Sequence, residues 1–181
     1  MILGDLNTYT RTASVSWVGS HEHGQGAITT PSAALIKARY VSGSHLKRRG
    51  TNPPELIAAA HASSFSITLA DELGAAGYRP RQIDTTATVS MEDIDAGWTM
   101  TQIHLDVIAT IPEVAQCDFV DAALRAKANC PISRSLNANI SMRARLSAHV
   151  PPEGLLHKRI PATQTPGIPQ KNRARRNGPK T

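Results

Sequence analysis

One segment constrains the fold more than any other: Thr51-Asn52-Pro53-Pro54-Glu55 followed by a long run of Ala, Leu, Ile and Phe reaching Ala76. Asn52 can cap a helix, Pro53 fits its first position, and Glu55 lies three residues after the cap. Gly77 is placed to end the helix in the left-handed conformation, and Pro80 prevents its continuation. Between these signals the residues are apolar on most sides, with small Ser and Thr interspersed. A helix with no polar face is buried, between a sheet and a second element or subunit. It does not cross a membrane, because the apolar stretch Leu56 to Ala70 is interrupted by His61, Ser63, Ser64, Ser66 and Thr68, short of the roughly 18 uninterrupted apolar residues that a span needs.

The flanking sequence has the period of two that strands require. Ala13, Val15 and Trp17 alternate with Ser14 and Ser16, predicting a half-buried strand over 12–19. Gly19 to Gly26 reads as a turn, and a second strand begins near Ala27. Ile36, Ala38 and Tyr40 alternate with Lys37, Arg39 and Val41, followed by a polar loop from Ser42 to Gly50 that carries Lys47-Arg48-Arg49. Beyond the helix, alternation over 82–91 and 103–111 around a turn at Asp93 to Gly97 predicts an antiparallel hairpin. Asp118 is placed to cap a second helix that ends near Asn129, since Pro131 disfavours helix at the residue before it. A short helical segment from Pro131 to about Leu136 and a strand through Ile140, Met142, Ala144 and Leu146 complete the pattern. Strands, long helix, hairpin, helix and strand make an α+β domain with helices on one face of antiparallel sheets.

The net charge of +6 over 181 residues belongs to one end. Residues 1–149 hold thirteen basic and thirteen acidic side chains, whereas Lys158, Arg159, Lys171, Arg173, Arg175, Arg176 and Lys180 face a single acid, Glu153. Residues 1–150 are therefore read as the domain. Residues 151–181, with six prolines and few large apolar side chains, are read as a basic, disordered tail. Without interleaved aromatics it is expected to make at most nonspecific contacts with nucleic acid or anionic surfaces. The N-terminus has no charged start followed by an apolar core, and Cys117 and Cys130 are the only cysteines. A reducing cytoplasm and no disulfide framework are the expectation.

Few residues offer chemistry. Cys130 precedes Pro131 and a helix start, where unpaired amides favour a thiolate, although a buried inert cysteine is the plainer reading of its local sequence. His61 and Ser64 lie three apart on one helix face, a spacing compatible with a serine hydrolase. No Gly-x-Ser-x-Gly elbow, oxyanion site or orienting acid accompanies them. Ser64 alone reads as a small polar residue bonding to a carbonyl one turn back. His21 and His23, with Glu22 between them, belong to a flexible polar turn rather than to a metal site. Cys117 is read as incidental. No cofactor and no metal are expected.

Four segments together resemble the OsmC/Ohr family of thiol-dependent organic hydroperoxide reductases: Gly50-Thr51-Asn52-Pro53, Ala59-Ala60-His61-Ala62, Ile83-Asp84-Thr85-Thr86-Ala87 and Asn129-Cys130-Pro131-Ile132-Ser133. The resemblance covers about residues 10 to 150 and is nearer the OsmC branch. It implies a swapped, intertwined homodimer with two sites at the subunit interface, where organic hydroperoxides are reduced and a dithiol of the lipoyl type restores the enzyme. It places Ser64 where the family has its attacking cysteine, Cys130 where it has the resolving cysteine, and Arg39 where it has the arginine that orients the peroxide. Pro54 stands in place of the site glutamate, a role not carried over to Glu55, and the link after Arg39 is several residues longer than in typical relatives. Serine has no counterpart to a sulfenic acid. Two readings follow: a family member whose peroxidase activity is lost or strongly impaired, or a non-enzymatic binding or sensing protein that keeps an apolar pocket at the dimer interface.

Overall fold

A computed structural model describes residues 8–42 and 50–147. The loop with Lys47-Arg48-Arg49 and the basic tail lie outside the described residues. Nine elements follow in order: β1 (Ser14–Val18), β2 (Gln25–Thr29), β3 (Ala38–Tyr40), α1 (Pro53–Ala75), β4 (Gln82–Ile94), β5 (Gly97–Thr110), α2 (Gln116–Asn129), α3 (Pro131–Ser135) and β6 (Asn139–Leu146).

The long helix begins and ends where its sequence signals lie. Asn52 is extended, and its Oδ1 accepts the Glu55 amide at 2.9 Å. At the other end Gly77 has φ +85. The Tyr78 amide donates to Leu73 O and the Gly77 amide to Gly74 O, the paired bonds of a Schellman stop. Burial of α1 departs from the expectation of a helix enclosed on most sides. Only His61, Phe65, Leu69 and Leu73, a stripe at four-residue spacing, are buried, while Ile67 on another side is 65 % exposed. Among the described residues only one stripe of α1 is fully buried.

What covers that face is a three-stranded sheet and α2. The sheet has the order β4-β5-β6. The hairpin β4–β5 is antiparallel and turns tightly between Ile94 and Gly97, so its strands run further toward the turn than their alternation indicated. The pair β5–β6 is parallel, which corrects the expectation of purely antiparallel sheets. The cause is the connection: α2 and α3 carry the chain back to the starting end of β5, the crossover that a parallel pair requires. On the helical face Leu105, Val107 and Ala109 meet Phe65, Leu69 and Leu73 of α1 and Phe119, Ala122, Ala123 and Ala126 of α2. Each large side chain buried there contributes roughly 1.5–3 kcal/mol.

The other sheet, β1-β2-β3, is antiparallel. Its first strand was expected to be half-buried, yet all five residues of β1 are exposed. Alternation gives the strand an apolar face, but among the described residues that face stays largely uncovered. The third strand is shorter than its pattern, because Lys37 sits at φ +48 and pairing starts only at Ala38. Asp118 does not cap α2. Ala115 is the capping residue, without a side-chain bond, and Asp118 instead accepts the Tyr78 hydroxyl at 2.9 Å.

Candidate functional site

Two helix segments build the candidate site. On α1, His61 and Ser64 stand on adjoining positions of one face. Opposite them the chain turns between α2 and α3 at Cys130-Pro131. Pro131 keeps Cys130 out of the helical conformation, and Cys130 has ψ 121. Its amide closes α2 on Ala126 O at 2.8 Å, and its carbonyl accepts the Arg134 amide at 3.1 Å to open α3. One residue thus ends one helix and starts the next, which fixes its thiol against α1. The outer side of the junction is held by Glu72 of α1, which accepts Asn129 Nδ2 at 2.7 Å and Arg125 Nε at 3.0 Å.

At the centre the Cys130 thiol donates to Ser64 Oγ at 3.4 Å. Cys130 has no exposed surface in the chain. Burial opposes its ionisation, but the Ser64 hydroxyl, the amide and hydroxyl of Ser133 and the amide of Ile132 outweigh it and hold the thiol below its ordinary value. His61 Nε2 lies 2.8 Å from Ser133 Oγ, and burial pushes the imidazole below its usual range. Four polar side chains, His61, Ser64, Cys130 and Ser133, therefore meet where α1 packs on the α2–α3 junction.

The structure brings Ser64 and Cys130 together and leaves the third site residue apart. Arg39 is exposed on β3, where its side chain lines a shallow groove with Ser16, Val18 and Gln25. Its carbonyl accepts the Thr51 amide at 3.0 Å, which ties β3 to the start of α1. Pro54 lies in the first turn of α1, and the Glu55 carboxylate is turned back to Asn52 Nδ2 at 3.4 Å. Neither supplies a carboxylate to Arg39. Cys117 is exposed on α2, its thiol 3.6 Å from Asp118. His21 faces Ser42 at 3.4 Å, and His23 lies 3.9 Å from Glu22.

One reading of a single residue needs correction. Ser64 was expected to bond back along its own helix. The back-bonds belong to Ser63, Ser66 and Thr68, while the Ser64 hydroxyl faces the thiol. The His61 ring bonds to Ser133 and not to Ser64. Ser133 is the residue that sequence reasoning left without a role. Its signal was the three-residue spacing from Cys130 across a helix start, which puts its amide and hydroxyl beside the sulfur.

An α+β domain with a Ser–Cys pair between its long helix and the α2–α3 turn defines the class. The OsmC-like protein family model matches residues 43–145. Peroxiredoxin OsmC of Escherichia coli (strain K12) is 39 % identical over 133 residues, which cover 73 % of this chain and 93 % of that protein. The chain belongs to the OsmC-like family. Among solved structures, the organic hydroperoxide resistance protein OhrB of Bacillus subtilis is 20 % identical, covers 74 % of this chain and 98 % of its own, and superposes with a TM-score of 0.58. An OsmC-like protein of unknown function from Vibrio cholerae is 13 % identical, with 76 % and 100 % coverage and a TM-score of 0.64. These two likenesses establish the fold. Among the described residues no helix is long and apolar enough to cross a membrane.

Proposed function

We propose that this chain is an OsmC-type hydroperoxide-reductase scaffold whose two-thiol cycle is lost or strongly impaired. The observation that carries the reading is the 3.4 Å approach of Cys130 Sγ to a serine oxygen. In a two-thiol cycle the first thiolate attacks the peroxide: an S–O bond forms, the O–O bond breaks and the alcohol leaves. The second thiol then attacks the sulfenic sulfur, forming S–S and releasing water, and a dithiol returns both to thiols. Ser64 occupies the position of the first thiol. Its hydroxyl is not ionised near neutral pH, and its oxygen has no oxidised state equivalent to a sulfenic acid. Pro54 removes the carboxylate that positions Arg39 in the family arrangement, so the substrate-orienting side of the site is weakened as well.

The working unit is an intertwined homodimer in a reducing, cytoplasmic setting, with organic hydroperoxides and a lipoyl-type dithiol as the reactants of any turnover that persists. Support for the second copy comes from apolar surface that one chain leaves open on two elements: Val15 and Trp17 on β1, and Ile67 on α1. An OsmC-like domain of residues 1–150 followed by a separate basic tail is part of the same proposal.

Turnover of cumene hydroperoxide with dihydrolipoamide tests the reading. The unmodified chain is expected to match the background rate, Ser64→Cys to gain slow turnover, and Ser64→Cys with Pro54→Glu to gain roughly tenfold more, the value of one charge-assisted hydrogen bond. An unmodified chain as fast as the double variant overturns it. A second reading, a non-enzymatic protein that binds an apolar ligand, is favoured by a concave surface beside the start of α1. It is lined by Trp17, His21, Tyr40, Val41, Ser42 and Pro53, with the Trp17 and Tyr40 rings 5.3 Å apart. Ligand-dependent melting across a lipid panel, with bound ligand in the native mass spectrum, distinguishes it.

A further inference from the structure

Three side-chain contacts seat the α2–α3 junction on α1. Asn129 Nδ2 donates to Glu72 Oε1 at 2.7 Å, Cys130 Sγ lies 3.4 Å from Ser64 Oγ, and Ser133 Oγ lies 2.8 Å from His61 Nε2. They are unequal. A thiol is a weak donor, and the Ser133 contact joins a hydroxyl to an imidazole. The Glu72 contact has a carboxylate as acceptor, and such bonds are shorter and roughly twice as strong as neutral ones. Its second oxygen takes Arg125 Nε at 3.0 Å, so one carboxylate grips two donors four residues apart on one face of α2. The Glu72 side chain is 19 % exposed, which shields both bonds more than an open surface pair. Two grips on the last turn of α2 fix both its distance from α1 and its rotation. Asn129 is the last residue of that helix, and Cys130 follows with its amide bonded to Ala126 O at 2.8 Å. The sulfur therefore moves with this turn.

We propose that Glu72 is the positioning residue for Cys130: by tying Asn129 and Arg125 to α1, its carboxylate holds down the last turn of α2, so that the sulfur stays enclosed and aligned with position 64. The consecutive residues Asn129 and Cys130 rest on α1 at points eight residues apart, Glu72 and Ser64, and a turn held at both does not roll. Without Glu72 the remaining contacts, at His61 and Ser64, lie on one side of the turn and leave it free to lift. Cys130 is fully buried, so a reactant reaches the sulfur when this turn opens, and Glu72 sets how often that happens. The role is independent of whether peroxide turnover is lost, because it concerns where the sulfur sits and what uncovers it.

Alkylation of the full chain tests it. Iodoacetamide labelling followed by peptide mass mapping reads both cysteines at once, with exposed Cys117 as the internal standard. Glu72→Ala is expected to raise the Cys130 rate relative to Cys117 about tenfold, the worth of a bond to a charged group. Asn129→Ala gives a smaller rise, and adding it to Glu72→Ala gives none, since the two act through one contact. Glu72→Gln, which keeps an oxygen for Asn129, falls between the parent and Glu72→Ala. A folded Glu72→Ala that labels like the parent overturns the proposal, as does a rise that global unfolding, measured by denaturation of the same variant, accounts for in full. A Ser64→Cys background reads the alignment itself. There oxidised dithiothreitol takes two electrons and two protons from the facing thiols, forming their disulfide and reduced dithiothreitol. Glu72→Ala is expected to lower the equilibrium ratio of disulfide to dithiol about tenfold, and an unchanged ratio overturns the proposal. Neither measurement uses peroxide, so failure here and failure of the proposed function are separate results.

Discussion

Strands β1 and β5 carry the same kind of pattern and meet different fates. In β5 the alternating Ile103, Leu105 and Val107 have no exposed surface, whereas in β1 Val15 is 57 % and Trp17 37 % exposed. Hydrogen bonding does not separate them, because β1 is paired along its whole length with β2. The difference is the layer above. The face of β5 receives α1 and α2, which the chain delivers through short connections on either side of the β4–β5 hairpin. Among the described residues the apolar face of β1 keeps much of its surface exposed. Alternation thus declares a face to be buried without naming the molecule that buries it.

Four perturbations probe that contrast, beginning with the largest effect. Phe65→Ala empties the centre of the packed half and should cost about 3–5 kcal/mol; chemical denaturation measures it, and a loss below about 1 kcal/mol means that α1 is not the keystone of that half. Acidification comes next. Burial keeps the His61 pKa below its ordinary 6.5, so below that pH the unfolded chain binds a proton that the folded chain refuses. Stability should fall as pH drops beneath about 6.5, by at most ~1.4 kcal/mol per unit until the folded pKa is passed. The slope attributable to this group is the difference from His61→Gln, and equal slopes remove His61 from the account. Asn52→Ala deletes the cap of α1 and should cost about 1 kcal/mol in melting experiments. Val15→Ala on the open strand should shift the stability of a dilute single chain by no more than about 0.5 kcal/mol. If a second copy covers β1, the same change gives a larger loss that grows with protein concentration, and sedimentation shows the weakened dimer directly.

Much of this was legible residue by residue where a signal is local. Asn52, Pro53 and Gly77 act through their own backbones, so the limits of α1 follow from their identity. The Asp95-Ala96 turn and the end of α2 before Pro131 are local for the same reason. The parallel pairing of β6 was not legible, because alternation within a strand carries no information on the direction of its neighbour. Asp118 misled because a capping residue type one turn inside a helix looks the same in sequence as one at its start. The candidate site divides along this line as well. Ser64 and Cys130 were named from motifs more than sixty residues apart. Only packing put sulfur and oxygen 3.4 Å from each other, and only packing gave the Ser133 hydroxyl to His61.

The sequence by itself therefore determined the element order, the limits of the long helix, the family, and the chemical fact that position 64 offers oxygen in place of sulfur. Those properties reside in single residues and their near neighbours. Tertiary structure decided that one stripe of α1 is buried, that β1 lies exposed, that Arg39 stands apart from Ser64 and Cys130, and that the His61 ring meets the Ser133 hydroxyl. Each of these depends on which surfaces meet across long separations in the chain, and that is settled by the summed burial of many apolar groups rather than by any one of them.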